Sequence, residues 1–274
     1  MPGEIRSPSL EPGVNNARLR LPTTIARIEG SIMEKFDLLT FKSDLDLADA
    51  VADQWLRDIE RTQSLSAEQH VALSGGRVAR HFFRALVKQS NERNLWLHGI
   101  HFFWADERCV LPTDPESNYG VARQCLFEPL KIEAHHIHRI HGELAPEEAA
   151  MAAAEEIRRG VTSNQAGQPL LDFVFLGMGE DGHIASLFPG ESDEKVNSNL
   201  VYRAVTAPKP PPSRITLSYA ALVAAREVWV LASGSGKEQA LRDSLASASQ
   251  TPLGRLLQMR SRTRIFTEIQ IGRC

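Results

Sequence analysis

Apolar residues recur along the chain in two rhythms. Short, nearly unbroken apolar runs predict strands at Phe36–Phe41, Val71-Ala72-Leu73, Leu97–Trp104, Leu170–Leu176, Leu200–Val205 and Val228–Ala232. Between them, apolar positions fall three and four residues apart, the spacing of one helix face. Leu45, Ala48, Ala52, Trp55, Leu56 and Ile59 mark a helix over 44–62, with Ser43 or Asp44 as its N-cap. Similar spacing predicts helices over 78–90, 117–127, 146–159 and 214–225. Ile265 to Ile271 alternates weakly and predicts an edge strand. Trp55, Trp96, Trp104 and Trp229 lie in or beside apolar elements and read as core.

Continuous apolar strands alternating with helices imply an α/β fold. The expected form is a three-layer sandwich, a mostly parallel, Rossmann-like sheet covered by helices on both faces. Residues 33–274 are expected to form a single α/β domain. Residues 1–32 carry Pro2, Pro8, Pro12 and Pro22 without sustained periodicity. They read as a loosely structured extension, with an ordered arm as the alternative. In open parallel sheets, ligands bind beyond the carboxyl ends of the strands. Four polar or glycine-rich clusters follow predicted strands here: Ser74-Gly75-Gly76, Asp106-Glu107-Arg108, Gly177–His183 and Gly234–Lys237. Placed at one end of one sheet, they converge.

Charge narrows the ligand. The formal net charge of −3 offers no global field for nucleic acid or an anionic membrane, so an anionic ligand needs a local basic pocket. No apolar run reaches the roughly 18 to 20 residues of a membrane span, and no signal-peptide pattern opens the chain. Cys109, Cys125 and Cys274 form no CxxC pair, which favours a reducing cytoplasm over a disulfide framework. His135, His136, His138 and His141 fit no metal-ligand template, so no metal is expected. Cys109 reads as a small packed residue rather than a nucleophile.

Each strand-end cluster has a plain reading and a chemical one. Ser74-Gly75-Gly76 is a tight turn into a helix, or a phosphate cradle of backbone N–H groups. Asp106-Glu107-Arg108 is a strand-end salt bridge, or a carboxylate beside a guanidinium that forks onto phosphate. Gly177-Met178-Gly179-Glu180-Asp181-Gly182-His183 is the most informative, placing an imidazole and a carboxylate in one glycine-rich turn. A histidine there caps a helix or serves as general base near neutral pH. Lys237 follows a Gly-x-Gly turn without P-loop spacing, which argues against a nucleotide while leaving a lysine suited to phosphate.

Taken together, the clusters resemble the 6-phosphogluconolactonase and glucosamine-6-phosphate isomerase superfamily. The resemblance covers roughly residues 36–240. It is carried by ALSGG at 72–76, WADERCVLPTDPESNYG at 104–120, IHRIHGE at 137–143, GMGEDGHIASLFPG at 177–190, PPPSRITLS at 210–218 and SGSGK at 233–237. Arg108, Asp181 and Ser186-Leu187-Phe188-Pro189 resemble the lactonase branch rather than the deaminases. The first glycine turn departs from the family: Gly75-Gly76-Arg77-Val78-Ala79 stands where GGSTP is usual, and Arg77 is the candidate substitute for the missing hydroxyls. The segment after residue 240 also departs.

The resemblance implies a six-carbon lactone carrying a phosphate, and no cofactor. It implies anchoring of the phosphate by Ser74, Gly75, Gly76, Arg108, Arg214 and Lys237. It gives His183 the role of activating water, with Asp106 and Asp181 orienting groups around it and Asn118 shaping the pocket. The implied partner is a small sugar-phosphate lactone, and the implied assembly a monomer or weak homo-oligomer. Two alternatives stay open: a deaminase or isomerase of amino-sugar phosphates, and a phosphosugar-binding protein without catalysis.

Overall fold

The computed structural model describes residues 24–25, 36–63 and 67–271. The expected extension over 1–32 lies outside these except for β1 (Thr24–Ile25), which pairs antiparallel with Leu39 and Thr40. Strand β2 (Phe36–Thr40) leads to Ser43, whose hydroxyl accepts from the Asp46 N–H at 3.1 Å and so starts α1 (Asp44–Gln63). That helix buries Leu47, Val51, Trp55 and Ile59 along one stripe. Strand β3 (Gln69–Leu73) feeds α2 (Arg77–Arg93) with no side-chain cap at Gly76, so the first N–H groups of α2 stay open toward the strand end. Strand β4 (Ile100–Trp104) is followed after one residue by β5 (Asp106–Arg108). Ala105 makes that joint: its N–H bonds Leu73 in the parallel sheet, and its carbonyl accepts from Leu217 in a second sheet.

The expected helix over 117–127 is α3 (Asn118–Ala122), capped by Ser117, continuing as a π-helical turn over Arg123–Phe127 into α4 (Glu128–Leu130). Helix α5 (Pro146–Gly160) precedes β6 (Phe173–Gly177), and α6 (Asp193–Val196) precedes β7 (Tyr202–Thr206). The expected helix over 214–225 is corrected. Its first part is strand β8 (Ser213–Leu217), and only α7 (Tyr219–Ala224) is helical, starting where the Ser218 hydroxyl accepts from the Ala221 N–H. Arg214, Ile215, Thr216 and Leu217 alternate with period two before the helical spacing begins, and the two patterns merge at Ser218. Strand β9 (Glu227–Ala232), α8 (Glu238–Leu245), α9 (Pro252–Met259) and β10 (Thr263–Thr267) complete the described chain.

The main sheet has the order β1-β2-β10-β9-β6-β3-β4, parallel except for β1, and helices flank it. The α/β, Rossmann-like expectation therefore holds. Two details differ. Strand β10 is interior, between β2 and β9, because Ile265 and Phe266 are buried on opposite faces of the sheet. Strand β7 belongs to the second sheet, antiparallel, of order β5-β8-β7. Trp55, Phe82, Phe173, Phe175 and Trp229 pack edge-on and tilted against one another inside the main core. Trp96 is not core: it is 60% exposed and stacks on His98.

From β3 the chain moves outward to β4, then returns to β6 on the other side of β3. The connections leave β3 and β6 in opposite directions, which opens a crevice at their carboxyl ends.

Candidate active site

The four strand-end clusters meet in that crevice. A cavity of about 580 Å³ is lined by Ser74, Gly75, Gly76, Asp106, Arg108, Asn118, His183, Arg214 and Lys237, among others. Of the sequence-selected residues, only Asp181 is not part of the wall; it stands behind His183 and bonds to its ring.

The turn after β6 is built around the imidazole. Met178 and Ile184 form a bridge, and the Gly179 N–H bonds the His183 carbonyl at 2.9 Å, folding the turn back on itself. The His183 ring then lies on Gly179, where a Cβ would overlap it, so the position demands glycine. His183 Nδ1 makes a short hydrogen bond to Asp181 Oδ1, and the His183 N–H donates to the same oxygen at 3.2 Å. A carboxylate accepts, so Nδ1 carries the proton and Nε2 is left as the basic nitrogen. Burial holds the imidazole below its ordinary 6.5, against the opposing pull of Asp181. Burial pushes Asp181 up, but the hydrogen bond and charge of His183 outweigh it, and the carboxyl ends below its ordinary range. Phe188 packs 4.8 Å from the imidazole, ring centre to ring centre.

Asp106 sits just past the Ala105 joint, 4% exposed. Its Oδ2 accepts from the Ser186 hydroxyl at 2.7 Å, and Asn118 Nδ2 donates to its carbonyl at 2.8 Å. Asp106 and His183 share the cavity wall without a hydrogen bond between them. Asn118 is 3% exposed, and its side-chain oxygen lies against Gly75, where a Cβ would overlap it. One amide thus ties the turn after β3 to the strand that carries Asp106.

Cations surround this pair. Lys237 Nζ donates to the Met178 carbonyl at 2.6 Å, and burial, then the charge of Arg77, lowers its pKa. The Arg77 guanidinium packs on Gly234 at the cavity edge. Arg214 donates through Nε to the Pro211 carbonyl at 3.0 Å and stacks 5.6 Å from the Phe188 ring centre. Arg108 pairs with Glu116 at 3.1 Å. The Ser74 hydroxyl is buried beside them with no hydrogen-bond partner among the described residues, a donor left for a ligand.

Three groups were not selected from sequence. Lys209, in the loop joining β7 to β8, lines the cavity 5.9 Å from the Phe188 ring centre and acts electrostatically on both His183 and Asp181. Its only sequence signal is a place among prolines. Glu268, directly after β10, accepts from the Ser233 hydroxyl at 3.0 Å and the Gly234 N–H at 2.7 Å, holding the turn that leads to Lys237. Glu107 gathers backbone N–H groups below the site.

The histidines that resembled a metal cluster lie at the β4 edge. His101 and His138 are hydrogen-bonded at 2.9 Å, and His138 bonds Glu156 at 2.8 Å. Burial raises the Cys109 thiol to about 11, which leaves little thiolate for nucleophilic work near neutral pH. Cys125 is likewise a free thiol, and Cys274 lies outside the described residues. No helix among the described residues is long and apolar enough to cross a membrane.

The chain is similar in sequence and fold to known proteins. The 6-phosphogluconolactonase of Treponema pallidum (strain Nichols) is 37% identical over 182 residues, covering 66% of this chain and 73% of that protein. The 6-phosphogluconolactonase of Streptomyces coelicolor is 33% identical over 210 residues, covering 74% and 80%. The crystal structure of 6-phosphogluconolactonase from Thermotoga maritima superposes with a TM-score of 0.70 at 27% identity, covering 85% of this chain and 98% of that one. The family model described as glucosamine-6-phosphate isomerases/6-phosphogluconolactonase matches residues 42–265, and the chain belongs to that family, on its 6-phosphogluconolactonase side.

Proposed function

We propose that the chain hydrolyses 6-phospho-D-glucono-1,5-lactone to 6-phosphogluconate, as in the oxidative pentose phosphate pathway. One observation carries the reading. A histidine fixed by a carboxylate through Nδ1 offers Nε2 to a cavity whose remaining wall is rich in cations and open N–H groups. The names of the relatives support the same chemistry.

In this reading Nε2 of His183 takes a proton from water as the hydroxide adds to the lactone carbonyl carbon. The carbonyl oxygen becomes an oxyanion, met by backbone N–H groups of the glycine turns and by the Lys209 charge. Collapse breaks the bond between carbonyl carbon and ring oxygen, and His183 returns its proton to that oxygen. Asp181 keeps the ring in the required tautomer throughout. Asp106, held by Ser186 and Asn118, orients sugar hydroxyls and adds negative charge that steadies the imidazolium. Ser74, the Gly75 and Gly76 amides, Arg108, Arg214 and Lys237 anchor the phosphate, with Arg77 adding charge where the family's usual hydroxyls are missing. Anchoring at that distance fixes the carbonyl against His183, which is where intramolecular rate gains arise. A lactone is an activated ester, so the scheme needs no cofactor. The reading includes a cytoplasmic setting and a monomer or weak homo-oligomer.

The test is hydrolysis of freshly generated 6-phosphogluconolactone, coupled to 6-phosphogluconate-dependent NADPH formation and corrected for spontaneous opening. A rate well above background supports the reading. A rate at background, with ammonia released from glucosamine 6-phosphate or with phosphosugar bound and unchanged, overturns it.

A further inference from the structure

Glu107 occupies an unusual place for a carboxylate. It is 2% exposed and forms no ion pair among the described residues. Four donors converge on it instead. The N–H groups of Arg108, Asn118 and Tyr119 each donate at 2.8 Å, and the Ser117 hydroxyl at 3.2 Å. Two of those N–H groups belong to cavity residues. Ser117 caps α3, and Asn118 and Tyr119 are its first turn, so the carboxylate sits where helix N–H groups favour negative charge.

We propose that Glu107 is a positioning residue for this reaction: as a carboxylate it gathers the Arg108, Asn118 and Tyr119 N–H groups and so holds the Asn118 amide between the Gly75 turn and Asp106. The inference rests on the lactonase reading for its kinetic consequence and on geometry alone for its structural one. Asn118 reaches both Gly75 and the Asp106 carbonyl only while its backbone is fixed, and Glu107 is what fixes it. A glutamine there has one acceptor oxygen, and its NH2 would face N–H donors.

The protonation state of Glu107 provides the test. Burial pushes its carboxyl up to about 7, against three backbone N–H groups that pull it down, while Asp106 adds to the rise. The other charged or titratable groups around it are Arg108 and Cys109 on the same segment, Tyr119 on α3 and Arg139 from the loop before α5. On the β8 side it faces Ile215 in register, flanked by Arg214. A carboxyl raised from 4.5 to about 7 on folding favours the native state most below 4.5, and that contribution is lost as pH rises through about 7. The ionised form that holds the loop is therefore the less stabilising one, so activity and stability move in opposite directions across this step.

The experiment compares the full chain with Glu107→Gln and Glu107→Asp between pH 5.5 and 8.5. In the parent, kcat/KM rises through a step near pH 7 while the melting temperature does not rise with it. Exchange protection of the Asn118 and Tyr119 amides, corrected for intrinsic rates, increases over the same step. Glu107→Gln loses the step and about tenfold or more in kcat, with a smaller change in KM; Glu107→Asp keeps the step. A Glu107→Gln protein with parental kcat, or with the step intact, overturns the proposal. If Glu107→Gln fails to fold, absence of the step in Glu107→Asp overturns it instead. Amide protection needs no turnover, so failure of the lactonase reading shows in the parent's rate and failure of the positioning role shows in the exchange.

Discussion

The two ends of the main sheet carry similar residues and behave differently. At the amino ends of the strands, a cavity of about 770 Å³ is lined by Arg226, Arg262 and Arg264 with Asp172, Glu227 and His70. Arg226 lies 3.4 Å from Asp172, and Arg262 and Arg264 lie 3.9 and 3.8 Å from Glu227. At the carboxyl ends, the smaller cavity holds Arg77, Lys209, Arg214 and Lys237, and among the described residues none of these is within ion-pair distance of a carboxylate. Most carboxylates in or beside it are engaged elsewhere, Asp181 with His183, Asp106 with Ser186 and Glu268 with the Gly234 turn, while the exposed Glu180 on its wall acts on Lys237 without an ion pair among the described residues. The larger cavity has balanced its charge internally. The smaller one has left cations and a buried hydroxyl for something that arrives. Unpaired charge, more than volume, separates a binding site from a surface hollow.

Substitutions at the two ends test that distinction. The largest effect is expected from His183→Ala, which removes the base and lowers kcat by about 10²- to 10⁴-fold with unfolding unchanged. Retained turnover would move the chemistry away from the imidazole. Next is Lys237→Ala, which removes a charge-assisted contact of about 1.5–3 kcal/mol and raises KM for the phosphorylated lactone by about 10- to 100-fold. Hydrolysis of the unphosphorylated lactone should not change; equal loss on both substrates would put the phosphate elsewhere.

The pH profile gives a smaller, signed effect. His183 must be neutral to accept a proton, so activity falls as pH drops through a value below 6.5. Asp181 raises that value, so Asp181→Asn moves the acid limb lower while reducing kcat. A limb that moves up instead would exclude Asp181 as the partner of the imidazole. The smallest effect belongs to the opposite end. Arg226→Ala should leave kcat/KM unchanged and cost no more than about 1 kcal/mol, because its guanidinium is mostly exposed and its ion pair screened. A change in KM there would mean that the amino-end cavity also binds the substrate.

Much of this was legible in the order of residues. An apolar run followed by glycine and a polar group marks a strand end, and the four such marks in this chain meet in one crevice. His183 and Asp181 stood out because their chemistry is local, two residues apart in one turn. What stayed hidden depends on distant partners. Glu107 reads as half of a salt bridge, since backbone N–H groups leave no trace in sequence. Strand β8 merges into α7 because Ser218 is both the end of one pattern and the cap of the next. Strand β10 reads as an edge because Ile265 to Ile271 alternates only weakly, yet it is packed from both sides, and the Arg264 guanidinium just before that segment lies over Trp229, 5.2 Å from its ring centre.

The interior place of β10 has a consequence for synthesis. Every other described strand leaves the ribosome before it, so β2 and β9 emerge with a vacant slot between them and unpaired backbone on both sides. The nascent sheet stays divided until that segment is released, and Glu268, which braces the turn ahead of Lys237, arrives only then. A premature stop before β10 would remove a strand from the middle of the sheet, leaving β2 with only the two-residue β1 beside it and the cationic wall without its brace.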